Sequence, residues 1–114
     1  MALETKQVTV EGYKNKDGEI QDHVYTFKKF PAEKGLDIYI RFGKILEGRE
    51  EMTAAFVKEV ICSCASIGST GKMTGDKFDD HFSGQMTHMM NVYNHVIAYN
   101  FDINFTEDDS DENL

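Results

Sequence analysis

Apolar and polar side chains alternate through Gln7-Val8-Thr9-Val10. They do so again, in part, from Val24 to Phe30 through Tyr25, Thr26 and Phe27. This two-residue rhythm predicts β-strands with one covered face. Asn15-Lys16-Asp17-Gly18 separates the runs, with turn formers at both ends and a glycine free to take a positive φ. Residues 5–30 therefore read as a β-hairpin. A lone hairpin is marginal in water, so its apolar face needs a layer to lie on. Beyond Pro31 the pattern supports two readings. Leu36-Asp37-Ile38-Tyr39-Ile40-Arg41-Phe42 alternates strictly, as a strand would. Wound as a helix, Leu36, Ile40, Gly43 and Leu46 share one side, and Ile38, Phe42 and Ile45 share another. Pro31-Ala32-Glu33 makes a good helix start and Gly48 a good stop, which favours the helix. A helix apolar on two sides must be covered on both, at the centre of the fold or by another subunit.

Residues 50–67 read as a second helix, with Met52, Phe56, Val60, Cys64 and Ile67 in one stripe and a loop at Gly68-Ser69-Thr70-Gly71. A third helix is expected from Gly75 or Asp76 to Phe101, with Thr74 as its cap. There Phe78, Phe82, Met86, Met89, Tyr93, Val96 and Ile97 recur within an arc of about 100°. The last ordered residues are expected at Ile103 to Phe105. The expected fold is α+β and mainly helical: an N-terminal β-hairpin, then three main helices. Residues 1–105 form one domain with no internal repeat (hairpin 5–30, helical part 31–105), and 106–114 form an acidic, disordered tail.

Composition narrows the classes. A chain of 114 residues, 40% hydrophobic, holds one modest core, and no apolar run approaches the roughly 20 residues of a membrane helix. Met1-Ala2-Leu3-Glu4-Thr5-Lys6 lacks the basic and apolar parts of a signal peptide, so a cytosolic protein is expected. The net charge of −8 argues against nucleic acid as a partner. Glu107, Asp108, Asp109, Asp111 and Glu112 supply five of those charges, and removing them from −8 leaves −3. That run reads as a solubilising end, or alternatively as bait for a basic partner or a tail lying on a basic surface until displaced.

The candidate chemistry is sparse. Cys62 and Cys64 sit two positions apart, about 160° apart on a helix, which argues against a mutual disulfide and for small half-buried thiols. His81, His88 and His95 stand at heptad steps, about 10 Å apart on a helix, too far to share a metal. They read as a solvated or partly covered polar flank, or alternatively as a protein contact weakened near pH 6. Gly68-Ser69-Thr70-Gly71-Lys72 lacks the first glycine of a phosphate loop and has Met73 where Ser or Thr should bind magnesium. Asn104-Phe105-Thr106 is a glycosylation triplet without a secretion signal. No carboxylate is accompanied by a recognisable base or nucleophile, so neither catalysis nor a cofactor or metal is expected. Met86 and Met89 read as core filling, and Met90, at the stripe's edge, as a contact residue.

Residues 24–105 resemble the small tail assembly chaperones of long-tailed bacteriophages. The matching pieces are Tyr25-Thr26-Phe27-Lys28-Lys29-Phe30-Pro31-Ala32, then Gly35-Leu36-Asp37-Ile38 through Phe42-Gly43-Lys44-Ile45-Leu46. Phe78-Asp79-Asp80-His81-Phe82-Ser83-Gly84 and Asn100-Phe101-Asp102-Ile103-Asn104-Phe105 follow. The resemblance implies a protein that coats the tape measure protein in the host cytoplasm before the tail tube polymerises. Such a protein self-associates into a spiral and is absent from the mature virion. It also implies that a longer, frameshifted form, where one exists, recruits the tail tube protein. Under this reading Leu36, Tyr39, Ile40 and Phe42 are the expected contact residues, with Met90 and Phe101 next. The rival readings are an acidic inhibitor or nucleic-acid mimic in a host protein's basic groove, and a small enzyme assembled from distant residues.

Overall fold

A computed structural model describes residues 5–67, 71–72 and 75–101. The hairpin forms from β1 (Thr5–Lys14) and β2 (Ile20–Lys28), paired antiparallel. Asn15 closes its turn: Oδ1 accepts from the N–H groups of Asp17 and Glu19, and Gly18 takes φ +81°. A bulge between Val10 and Tyr13, with Gly12 at φ +93°, shifts the register by one residue. Side chains alternate across a strand, so this slip moves Tyr13 to the face that carries Val8 and Val10.

The segment after Pro31 is helical. α1 (Ala32–Leu46) buries Ile38 and Phe42, and it ends as expected at Gly48, φ +77°. The Gly48 N–H donates to the Ile45 carbonyl and the Arg49 N–H to that of Lys44, the paired bonds of a Schellman stop. α2 (Ala54–Cys62) is shorter than the expected 50–67. Thr53 caps it by accepting from the Phe56 N–H (3.1 Å), leaving Met52 outside. Its end yields to tertiary pairing. Ala65–Ile67 becomes β3 on the free edge of β2, extended by β4 (Gly71–Lys72). The sheet order is β1-β2-β3-β4. Gly71-Lys72 thus belongs to a strand pair, while the rest of the loop, like Thr74, lies outside the described residues.

The long third helix is divided. α3 (Gly75–Phe82) and α4 (Met86–Phe101) are separated at Gly84, which takes φ +74°. The fold therefore has four helices among the described residues where three were expected. Gln85 fixes the break through its side-chain amide, which donates to the Lys14 carbonyl (2.7 Å) and accepts the Lys14 N–H (2.9 Å). α4 packs against β1 and α2. The core joins Val10, Tyr25 and Phe27 of the hairpin to Ile38 and Phe42, to Phe56, Val57, Val60 and Ile61, and to Phe82, Val92, Tyr93, Val96 and Ile97. Met86 is exposed, contrary to the core role expected of it, because the break ends the stripe before it; Met89 packs partly buried. The acidic tail and residues 103–105 lie outside the described residues.

Candidate protein-contact surface

α1 is held to the body of the protein along one flank. The Arg41 guanidinium reaches Glu59 (2.9 Å) and Asp37 (3.4 Å) and lies over the Phe56 ring, while Lys34 meets the other Glu59 oxygen at 2.8 Å. These cations hold the Glu59 carboxyl below its usual pKa, Lys34 contributing most. Surface pairs of this kind add little stability singly, and the burial of Ile38 and Phe42 decides which side of α1 faces the core. With Ile38 and Phe42 turned inward, the opposite face is left open. At 100° per residue, Leu36, Tyr39, Ile40, Gly43 and Leu46 fall within an arc of about 120°. Leu36 is 59% exposed, Tyr39 55%, Ile40 48% and Leu46 67%. A single exposed apolar residue needs no explanation, but four on one helix face form a patch that does. Tyr39, Ile40, Gly43, Lys44, Leu46 and Arg49 line a groove of about 370 Å³ along it.

The expected contact residues separate accordingly. Leu36, Tyr39 and Ile40 stand together on this face. Phe42 is 4% exposed and belongs to the core, because it shares the inward side of α1 with Ile38. Met90 and Phe101 are partly buried against the core. Phe101 sits where α4 meets α1, its ring 5.2 Å from that of Tyr39, 5.8 Å from Phe30 and 6.2 Å from Phe42. Beside it Asn100 accepts the Phe30 N–H (2.8 Å) and donates to the Val96 carbonyl. Two segments far apart in sequence, Phe30-Pro31 and Asn100-Phe101, thus form one joint at the edge of the exposed face.

A second constellation lies inside. The rings of Tyr13, His23, Tyr25, His81, Phe82 and His88 gather between the hairpin and the α3–α4 junction. The Tyr25 oxygen lies 2.7 Å from Nε2 of both His81 and His88. His88 Nδ1 lies 2.8 Å from the Glu11 carbonyl, which can only accept, so Nδ1 carries the hydrogen and Nε2 of the neutral ring is bare. Tyr25 therefore donates to His88 and accepts from His81. Burial lowers the pKa of both imidazoles, to about 4 for His81, so both are neutral at pH 7. The expectation of a solvated or partly covered histidine flank is overturned for His88, which is buried, and holds for the partly covered His81 and His95. The break at Gly84 folds His81 and His88 onto Tyr25, and the His95 ring lies near the Glu11 carboxylate (3.3 Å). His23 and Tyr13 were missed. The usable signal was His23 and Tyr25 two residues apart on one strand face.

Cys62 and Cys64 are free thiols, and burial pushes Cys64 up to about 11. Among the described residues no group of His, Cys, Asp and Glu is arranged to hold a metal ion, and no helix is long and apolar enough to cross a membrane. The buried Tyr93 hydroxyl has no hydrogen-bond partner among the described residues, and burial raises it to about 12.

Residues 45–111 match a family model described as phage tail assembly chaperone protein, TAC. No curated protein and no solved structure matches the chain.

Proposed function

The chain belongs to the phage tail assembly chaperone family, and from that membership we propose that it binds and solubilises the tape measure protein during tail morphogenesis. The observation that carries this reading is the open face of α1. Leu36, Tyr39, Ile40 and Leu46 offer an apolar strip to a largely helical, aggregation-prone client. An amphipathic client helix would lay its own apolar side along such a strip. The same strip, repeated head to tail between copies, supports self-association into an open spiral. A longer frameshifted form would bring the tail tube protein to the assembly. The work would be done in the host cytoplasm, with the chaperone leaving before the virion matures, and without catalysis.

Charge favours this over a nucleic-acid mimic. From residue 5 to residue 101 twelve Lys and Arg face thirteen Asp and Glu, so the folded part presents almost no net charge to a basic groove. Co-expression with the tape measure protein of the same phage tests the proposal. The client should stay soluble and co-purify; a client that precipitates alone despite abundant chaperone sinks it. Deleting residues 106–114 separates the rivals, since a mimic would lose binding and a chaperone would keep it.

A further inference from the structure

The open face of α1 is complementary to itself when turned end for end. Its charge changes sign along the helix. Glu33 and Asp37, both exposed, stand on one flank near the start, and exposed Lys44 stands on the same flank near the end. At 100° per residue these three fall within an arc of about 40°. Lys34 is turned away from them and held by Glu59 (2.8 Å). Past the helix Arg49 pairs with Glu47 (2.6 Å), so Lys44 leaves this end basic. A groove of about 440 Å³ opens beside Pro31, Glu33 and Asp37 at the acidic end. The groove of about 370 Å³ holds Lys44 and Arg49 at the other.

The apolar positions follow the same symmetry. Two copies of α1 can lie antiparallel with Tyr39 of each opposite Gly43 of the other. That register sets Leu36 opposite Leu46, Glu33 opposite Arg49, and Asp37 one residue from Lys44. A two-fold axis across the helices keeps like flanks together, so the acids of one copy and Lys44 of the other share a side. Gly43 favours this register. A glycine inside a helix costs about 1 kcal/mol relative to alanine, and a Cβ built at Gly43 would meet nothing within 4 Å. No packing among the described residues of one copy asks for a glycine there, whereas a tyrosine ring pressed on the helix from outside does. It also lets the helix axes approach to about 8 Å, the near limit of helix packing.

We infer that the free protein pairs with a second copy through the open faces of α1, antiparallel and two-fold, with Tyr39 of each on Gly43 of the other. A contact between identical faces closes at two copies. It is a resting form that covers Leu36, Tyr39, Ile40 and Leu46, and a client or an open spiral must part it. Four half-exposed side chains per copy make a contact at or below about 1,200 Å², the size of weak, reversible complexes. A dissociation constant of roughly 1–100 μM is expected. The pairing rests on the shape and charge of α1, independently of the client role proposed above.

Sedimentation equilibrium on the full chain tests it. The protein should pass from one to two copies across that concentration range and grow no further. Asp37→Lys sets two cations face to face at both ends of the pair, and Lys44→Asp sets two acids. Each variant alone should therefore pair at least about tenfold more weakly. An equimolar mixture of the two should recover the two-copy mass. In the mixed pair the introduced lysine meets the introduced aspartate, and the native Lys44 meets the native Asp37. A chain still monomeric at about 500 μM would overturn the pair, since less than a tenth of it should then be unpaired at the tight end of the range. Single variants that pair as well as the native chain, or a mixture that stays monomeric, would overturn it too. Growth beyond two copies would overturn the closed contact in favour of the open spiral. Client solubility on co-expression is a separate readout, so failure of the pair and failure of the client role are told apart.

Discussion

Tyr25 shows how one hydroxyl organises a junction. It accepts from His81 and donates to His88, and it is itself fully buried. Tyr25→Phe removes both bonds and leaves two imidazole nitrogens facing an apolar ring. The expected loss is about 1–3 kcal/mol, read from urea unfolding midpoints. The same cluster makes the fold acid-sensitive. The His81 pKa falls from the ordinary 6.5 to about 4 in the folded state, so the unfolded chain binds the proton first. Stability is full above pH 6.5 and declines as pH falls toward 4. His88, shifted the same way, adds to the decline, and the lowered carboxyls of Glu11 and Glu59 extend it further into acid. Thermal midpoints should hold level from pH 7.5 to about 6.5 and then drop steadily to pH 4.5. A flat profile would mean that neither imidazole is held neutral by the fold.

At the scale of elements, three glycines have three different jobs. Gly12 sits in the β1 bulge at φ +93°, and a Cβ there would come 2.9 Å from the Asn91 amide nitrogen. That amide and His88 both hold the Glu11 carbonyl, so the bulge is what joins β1 to α4. Gly12→Ala should cost about 1–3 kcal/mol by backbone strain alone, with further loss from the displaced Asn91. Gly84 divides α3 from α4 by its left-handed φ. The Ser83-Gly84 pair could have been read as a turn, but the apolar stripe runs through it on both sides and argued for one helix. Gly43 lies within a regular helix with open space above it. Gly43→Ala should therefore stabilise the protein by up to about 1 kcal/mol, visible as a rise in thermal midpoint of a few degrees.

For the molecule as a whole, the two faces of α1 divide the labour. Ile38 and Phe42 close the core, and Leu36, Tyr39, Ile40 and Leu46 remain outside it. Ile40→Glu combined with Leu46→Glu should leave the unfolding midpoint nearly unchanged, because neither side chain is buried. The same pair should abolish solubilisation of the client on co-expression. A normal client yield with a correctly folded double variant would move the contact surface elsewhere on the molecule. The groove of about 470 Å³ beside Ile20 and Met86, both exposed, would then be the next surface to examine.

The sequence by itself determined what local chemistry decides. The turn at Asn15–Gly18, the stop at Gly48 and the double apolar pattern of α1 are written in neighbouring residues, so periodicity and capping rules reach them. The open face of α1 was legible for the same reason: a helix apolar on two sides cannot bury both against one core. Membership of the tail assembly chaperone family was legible too, and the family model matches residues 45–111, which include Asn100-Phe101; only the fold shows that pair meeting Phe30. The tertiary structure decided the rest. Ala65–Ile67 became a strand because β2 had a free edge, and Phe42 went inward because the core covers the side of α1 that it shares with Ile38. The histidines converged because a bulge and a helix break brought Glu11, Tyr25, His81 and His88 together across separations of 56 to 77 residues. Contacts at that range leave no periodic trace in the chain.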